Sequence, residues 1–303
     1  MSAQDVHPSV QAELGLLPGG RLKRRLAKDR ALRWGLPLAF VAVVFPILDL
    51  IYWISSRALP TLTWTTLSTN PLGDAGGLYA PITGTFYLLG IATAISAGLG
   101  ILAGAYTAEY ATPRVANAAR LVANVLTGTP SIVVGYFGYF ALVLYLHSGY
   151  TLWAGAVALS VFMLPYIFRI TDLAFGTVPE AQREAALGMG ASRRQYLLRN
   201  AFPIAFPQVL TGIFLAMAIG AGETAPLLLT AGWSITPAQS LNQQTSYLTG
   251  FVWTYFDQPA TAGTLVTLSF QAAFLLIVGV LILNLIVQIV SEIYRRRLRG
   301  LFA

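Results

Sequence analysis

The sequence contains no cysteine, and only two of its 303 residues are histidine. Without cysteine the chain forms no disulfide, thiolate site or zinc finger. His7 and His147 lie far apart along the chain, so we predict no histidine-based metal site. We also find no cluster of acidic, basic or metal-binding groups of the kind that a membrane enzyme needs. The sequence therefore predicts no catalytic residue, no metal and no cofactor.

Charged residues are scarce, and the apolar residues form long runs. Only 10% of the chain is charged and 56% is hydrophobic, whereas a soluble domain carries about 25% charged residues. A span of bilayer hydrocarbon takes about 20 apolar residues, and it must be helical because lipid leaves any unpaired backbone group unsatisfied. We predict an all-α integral membrane protein with six transmembrane helices, at residues 35–56, 82–108, 121–147, 152–174, 205–231 and 264–290.

Lysine and arginine lie almost entirely on one side of these six spans. Every one of the 19 basic residues except Arg57 falls in the amino-terminal segment, in the connection after the second span, in the polar stretch after the fourth span and its approach, or in the tail. Such a bias marks the cytoplasmic side. We therefore predict a multi-pass protein of the plasma or inner membrane with both termini cytoplasmic. Topology and contact with membrane lipid explain the net charge of +7 without nucleic acid.

A polar stretch at residues 176–203 interrupts the apolar sequence between the fourth and fifth spans. A glycine pair that ends at Gly190 breaks its first helix, since glycine weakens a helix interior by about 1 kcal/mol against alanine. Ser192 and Gln195 have the spacing of a capping box, which begins a second helix. Pro203 is expected to end that helix. We predict two short helices joined at a glycine corner and projecting into water.

This stretch resembles the EAA loop of ABC-transporter permeases. The matching positions are Glu184, Ala185, Ala186, Gly190 and Pro203, whereas Asn200 and Phe202 replace the family's usual Ile and Leu. The resemblance implies a coupling helix that docks into a cleft on an ATPase subunit. The residues that it assigns to ATPase coupling are Glu184, Ala185, Ala186, Gly190, Arg193 and Arg194. The alternative is an ordinary basic cytoplasmic loop.

The third predicted span contains hydroxyl residues around a proline. Pro130 cannot donate to the carbonyl of Leu126, four residues back, so we expect that carbonyl to be free. Irregular backbone at membrane depth is tolerated where it lines a watery cavity. The hydroxyls of Thr127, Thr129 and Ser131 are therefore candidates for binding a polar solute, and a plain proline kink is the alternative.

The fifth predicted span contains a carboxylate among glycines, a threonine and a proline. An acidic residue at the bilayer centre costs about 2.5 to 3.5 kcal/mol on insertion scales, so Glu223 is a functional candidate. Gly222 and Thr224 flank it, and Pro226 again removes a backbone donor. We place Gly222, Glu223 and Thr224 with the three hydroxyls on a translocation path. A structural Glu223, bonded to a neighbouring helix, is the alternative.

Residues 222–231, Gly-Glu-Thr-Ala-Pro-Leu-Leu-Leu-Thr-Ala, resemble the signature of PstA-type permeases of phosphate ABC transporters, and residues 129–135 are similar to another recurrent segment. The resemblance covers about residues 75 to 295. It implies a type I importer permease architecture, with a MetI-like core of five helices plus an amino-terminal helix. It also implies three kinds of partner: a second permease subunit of PstC-like sequence, an ATP-binding subunit dimer and an extracytoplasmic phosphate-binding protein. The domains are then a basic segment at 1–34, a permease domain at 35–291 with the coupling loop at 176–203, and a basic tail at 292–303.

One position departs from that family. Ile219 stands where the family commonly has an arginine, and we find no basic residue deep in any span. A permease for another oxyanion or small solute therefore remains open. No Gly-x-x-x-x-Gly-Lys-Ser/Thr motif occurs, so ATP hydrolysis is expected in a separate chain and this chain is not an enzyme. A stand-alone secondary transporter is the further alternative, although the chain lacks paired inner carboxylates for proton coupling.

Overall fold

The computed structural model describes residues 19–71, 76–257 and 263–302. Residues 1–18 of the predicted basic amino-terminal segment and Ala303 of the predicted tail lie outside the described part. The regular structure of the described part is helical throughout. The helices are α1 Gly19–Ala58, α2 Trp64–Ser68, α3 Tyr79–Glu109, α4 Pro113–Gly128, α5 Ser131–Gly138, α6 Leu152–Gly176, α7 Glu180–Gly188, α8 Arg193–Tyr196, α9 Phe202–Ala221, α10 Ala225–Leu228, α11 Leu248–Tyr255 and α12 Gly263–Phe302. A 3-10 turn at Leu59–Thr61 follows α1, and π-helical turns at Tyr139–Tyr145 and Leu197–Ala201 follow α5 and α8.

Five helical segments of the described chain are long and apolar enough to span a membrane. A sixth span arises if α4 and the continuous segment Ser131–Tyr145 count as one, and these two are bent by 99°. The prediction of an all-α protein is confirmed. The prediction of six spans is confirmed if the two bent segments are counted as one span. The five single spans are Gly35–Thr61, Tyr79–Glu109, Leu152–Gly176, Arg193–Ala221 and Gly263–Tyr294.

The chain divides into two compact units after Trp53. The described part of the first unit is the amino-terminal portion of α1, which stays helical through Pro37 and Pro46. Proline is tolerated in membrane helices because local adjustments satisfy the freed backbone groups again. The second unit runs from Ile54 to the end of the chain and contains every feature described below.

The core of the second unit is built where α3 packs against α6. Leu88 of α3 and Leu159 and Met163 of α6 are fully buried there. The two backbones come close because α3 presents glycine: a Cβ on Gly104 would lie 2.7 Å from the Cβ of Thr171. Small residues permit this packing in membranes, where lipid supplies no hydrophobic force between helices.

The fifth predicted span, 205–231, is wrong beyond residue 221. Helix α9 ends at Ala221. The N–H of Gly222 then donates to the carbonyl of Ile219, three residues back, with a nitrogen–oxygen distance of 3.1 Å. The chain then leaves the helix at residues 222–224 and begins α10, with Pro226 in its first turn. The predicted helix stops because glycine weakens it and proline cannot continue its hydrogen bonds.

Pro203 does not end the helix that begins at Arg193, contrary to prediction. Residues 193–221 form one continuous span, and Pro203 lies in the first turn of α9. The π-helical turn Leu197–Ala201 comes directly before it. We attribute the continuity to this wider turn, which gives the proline ring room against the preceding carbonyls.

Candidate translocation and coupling sites

Two interruptions of helical structure meet inside the second unit. The first lies at Thr129 and Pro130, before α5, and the second lies at residues 222–224, before α10. Helices α5 and α10 touch almost backbone to backbone, because a Cβ on Gly135 would lie 2.9 Å from the Cα of Pro226. A side chain at position 135 would hold the two segments apart. Glycine at this position is therefore a condition of their contact.

This contact brings Glu223 to Ser131. Ser131, the first residue of α5, lies within electrostatic range of the carboxylate of Glu223, which is half-buried. The hydroxyl of Thr249 donates to the backbone carbonyl of Glu223 at 2.8 Å. A carboxylate at membrane depth is tolerated where it finds polar partners or water. Two of the predicted path residues, 92 positions apart in the sequence, thus form one polar site.

The other predicted path residues are arranged differently. Thr127 and Thr129 donate their hydroxyls to backbone carbonyls of their own helix, at 2.9 Å to Asn124 and 2.8 Å to Val125. The carbonyl of Leu126, predicted to be free, accepts the N–H of Thr129 at 3.2 Å. A proline removes only its own donor, and Thr129, one residue earlier, supplies another.

Gly222 and Thr224 flank the carboxylate as predicted, as the residue that caps α9 and the residue that precedes α10. The 99° bend at Pro130 is much sharper than a proline kink in a continuous helix, so the helix is broken there. The binding of a solute by the hydroxyls stays a prediction. Each interruption turns the chain, and the two turns bring their polar residues together.

The predicted coupling loop has the local structure that its sequence indicates. Helix α7 follows Pro179 and ends at Gly188, and Gly190 turns the chain with φ of +87°. The capping box is formed: Ser192 Oγ accepts the N–H of Gln195 at 3.2 Å, and Gln195 Oε1 accepts the N–H of Ser192 at 2.8 Å. A positive φ is open to glycine and strained for most other residues, so Gly190 fixes the corner.

The residues exposed on this loop differ from the predicted coupling residues in two ways: Ala186 is buried, and Met189 is exposed but was not predicted. The exposed members of the set are Glu184, Ala185, Gly190, Arg193 and Arg194. Ala186 is only 3% exposed and packs against Tyr196, so it positions the helix from within. Met189, which sequence reasoning missed, is 82% exposed at the tip of the corner. The sequence did contain a signal for it, since Met189 is an apolar residue between two glycines in a polar stretch.

An ion-pair network anchors α7 to the end of α3. Arg183 Nε lies 3.1 Å from Glu109 Oε1, and its Nη1 lies 2.9 Å from Glu180 Oε1. Glu109 is the last residue of α3, and its side chain is 9% exposed. The hydrogen bond with Glu180, followed by the charge of Glu109, raises the pKa of Arg183, so the guanidinium stays protonated. These ion pairs connect α7 to a helix of the core.

A broken span that meets the end of another span, and an exposed helical corner, are the features that the comparison with known proteins has to explain. Residues 100–300 match the family model described as "Binding-protein-dependent transport system inner membrane component". The chain belongs to this family, the membrane permease subunits of ABC importers. Membership implies an ATPase partner and a second permease.

In sequence, the chain is most similar to PstA-type permeases. It is 39% identical over 270 residues to the phosphate transport system permease protein PstA 2 of Mycobacterium bovis, which covers 88% of this chain and 89% of the relative. It is 32% identical over 260 residues to the phosphate transport system permease protein PstA of Haemophilus influenzae, covering 84% of this chain and 91% of that one.

A solved structure confirms the predicted importer-permease fold. A chain of the MetNI methionine ABC transporter, in an inward-facing conformation, matches with a TM-score of 0.58 at 16% identity. The match covers 72% of this chain and 95% of that chain. At this identity the likeness concerns the fold alone.

Proposed function

We propose that this chain is the membrane-spanning permease subunit of an ATP-driven phosphate importer. The permeases of phosphate transport systems that resemble it over most of its length support the substrate. The observation that carries the proposal is the close approach of α5 to α10 at Gly135 and Pro226, which places Ser131 near Glu223. Interrupted helices expose backbone groups and hydroxyls at membrane depth, which is where importers bind polar solutes.

The mechanism that we infer is alternating access. ATP closes an ATPase dimer against the coupling loop, and the loop moves the helices beside Ser131 and Glu223. The path is then lined by Thr127, Thr129, Ser131, Gly222, Glu223 and Thr224. The second permease is a PstC-like chain, and an extracytoplasmic binding protein delivers phosphate. ATP is hydrolysed in the separate subunit.

Sidedness and domain division belong to the same proposal. The basic segment 1–34, the coupling loop 176–203 and the tail 292–303 face the cytoplasm, and residues 35–291 form the permease domain. The asymmetry of the lysines and arginines supports this orientation.

The test is phosphate uptake by the intact transporter, purified through a tag on this chain and reconstituted in proteoliposomes. We expect radiolabelled phosphate to enter only when ATP is present on the ATPase side and the binding protein is present on the other. A non-hydrolysable ATP analogue is the control and should abolish uptake. Uptake that is unchanged without ATP would instead identify a secondary transporter.

Ile219 supports one second candidate, a permease for another oxyanion. The family's usual arginine is absent from this position, and an arginine fork is a strong ligand for an oxyanion. Competition separates the two candidates: excess unlabelled phosphate should block uptake, and excess sulfate should leave it unchanged. Uptake of labelled sulfate that excess unlabelled phosphate does not inhibit would assign the chain to the other oxyanion.

A further inference from the structure

A second polar cluster lies between α4 and α6. Arg120 forms a two-point ion pair with Asp172, with Nε 2.7 Å from Oδ2 and Nη2 3.0 Å from Oδ1. Arg169 donates from Nη1 to Oδ1 of Asn124. These four side chains line a cavity of about 480 Å³. None of the nine residues that line it belongs to the two interrupted segments around Ser131 and Glu223.

Both arginines of the cluster lie in helices that belong to candidate spans. Helix α4 extends from residue 113, so Arg120 lies inside it, eight residues before its end at Gly128. Arg169 lies seven residues before the end of α6 at Gly176. At 1.5 Å per residue Arg120 lies about 10 Å from the start of α4 at Pro113, and Arg169 lies about 10 Å from the end of α6. Charged side chains gathered in a cavity between apolar helices are functional candidates.

The cavity carries a net positive charge. Two guanidinium groups face one carboxylate, and both oxygens of Asp172 are occupied by Arg120. Asp172 is 6% exposed, whereas the side chain of Arg120 is 48% exposed. Among the described residues, Nη1 of Arg120 and the Nε and Nη2 groups of Arg169 have no hydrogen-bond partner. Guanidinium donors of this kind bind a phosphate group with two parallel hydrogen bonds.

We propose that this cavity binds the phosphate group of an anion, through Arg169 and the outer edge of Arg120. The anion is either inorganic phosphate that leaves the transporter or the headgroup of an anionic lipid, and the first source rests on the proposed function. The cavity has room for a tetrahedral oxyanion with several waters, since one water occupies about 30 Å³. The negative end of the α6 dipole lies at Gly176 and weakens the attraction. A weak site is suited to release.

The absence of cysteine makes a labelling experiment possible. Leu173 lines the cavity and is 53% exposed, so Leu173→Cys reports its occupancy. The complete transporter is placed in nanodiscs of phosphatidylcholine and labelled with a neutral maleimide at constant ionic strength. We expect saturating inorganic phosphate, compared with chloride, to slow labelling by about threefold or more, because the occupied cavity excludes the reagent.

Two further variants are the controls. Val122→Cys lies on α4, is 58% exposed and does not line the cavity, so phosphate should not change its labelling. Adding Arg169→Gln to Leu173→Cys should raise the phosphate concentration needed for protection by about tenfold, because a charged hydrogen bond is lost. We leave Arg120 unchanged, since its removal would strand the buried Asp172.

A second set of nanodiscs contains phosphatidylglycerol and separates the two sources. Slow labelling without phosphate, relieved by Arg169→Gln, would identify the lipid headgroup as the ligand. Labelling that responds to neither phosphate nor lipid overturns the site. Protection that is unchanged by Arg169→Gln, or that extends to Val122→Cys, overturns it as well. Because binding is measured without ATP, failure here with intact uptake leaves the proposed transport function standing.

Discussion

At the scale of single residues, Glu223 is a costly side chain for the sequence to place in a predicted span. Its proximity to Ser131 and its half-buried setting offset part of that cost. Both residues were identified from sequence, because a carboxylate and a hydroxyl beside proline are unusual in an apolar run. Their proximity was not, because it depends on the packing of two segments at Gly135, which leaves no local signal.

Replacing Glu223 by glutamine keeps the shape and the hydrogen-bonding capacity of the side chain and removes its charge. We expect Glu223→Gln to lower the initial rate of ATP-driven phosphate uptake at least about tenfold. The amount of transporter in the membrane should stay unchanged. Thr267→Val is the matched control, because Thr267 lies off the proposed path and donates to the carbonyl of Gly263 in its own helix, and it should transport normally. Normal uptake by Glu223→Gln would make the carboxylate structural.

Met189 is the other residue with a specific expectation. An exposed apolar side chain at the tip of the coupling corner gains most by entering a pocket on a partner. We expect Met189→Asp to weaken retention of the ATPase subunit by about 2 kcal/mol, or about 30-fold. Met189→Leu should retain the ATPase. Co-purification of the ATPase with tagged permease measures the retention of both variants. Equal retention would contradict the entry of Met189 into a pocket on the ATPase.

At the scale of elements, local signals were reliable and long-range ones were not. The helix Glu180–Gly188, its corner and the capping box at Ser192 followed from neighbouring residues. Pro203 misled, because its effect depends on whether the preceding turn widens. Pro130 correctly indicated an interruption, but the size of the bend depends on the fit between α5 and α10, which lie far apart in sequence.

The corner at Gly190 provides a test with an internal control. A Cβ at Gly190 meets nothing within 4 Å, so the penalty of Gly190→Ala is the strain of a positive φ, about 1 to 2 kcal/mol. Gly188 also has free space but lies in helical backbone. We expect Gly190→Ala to reduce phosphate transported per ATP hydrolysed, and Gly188→Ala to leave it intact. Equal values for the two variants would show that the corner is not strained.

The contact between α5 and α10 is tested by Gly135→Ala. The added methyl group would lie 2.9 Å from Pro226, and such overpacking costs about 1 to 3 kcal/mol. We expect a lower melting temperature of the purified transporter and loss of uptake. Gly90→Ala in α3, where a Cβ has open space, is the control and should match the parent. A Gly135→Ala variant as stable as the parent would mean that the two segments stand further apart.

At the scale of the whole molecule, hydropathy predicted which runs are helical but not how the chain passes between them. The count of six was reachable because apolar length is a local property. The ends of the fifth span and the bend in the third could not be predicted from hydropathy. They depend on which neighbouring groups form hydrogen bonds with the buried backbone N–H and C=O groups. Polar residues are needed where a helix is interrupted inside a span. The errors in the predicted spans therefore lie at the candidate site.

Sidedness is the prediction that belongs to this scale. In a chain without cysteine, Arg194→Cys and Gln239→Cys place single thiols on the coupling loop and on the loop before α11, and both positions are exposed. We expect an impermeant maleimide to label Gln239→Cys in intact cells or spheroplasts and Arg194→Cys only in inside-out vesicles. Labelling of both thiols from one side, or in the reverse order, contradicts the orientation.

The unbroken helix from Arg193 to Ala221 has a mechanical consequence. With 29 residues it is a stiff rod about 43 Å long, and it stops one position short of Gly222. A π-helical turn at Leu197–Ala201 widens it near its arginine-bearing end. Under the proposed mechanism, a displacement of that end is expected to reach Gly222 and to change the distance between Glu223 and Ser131.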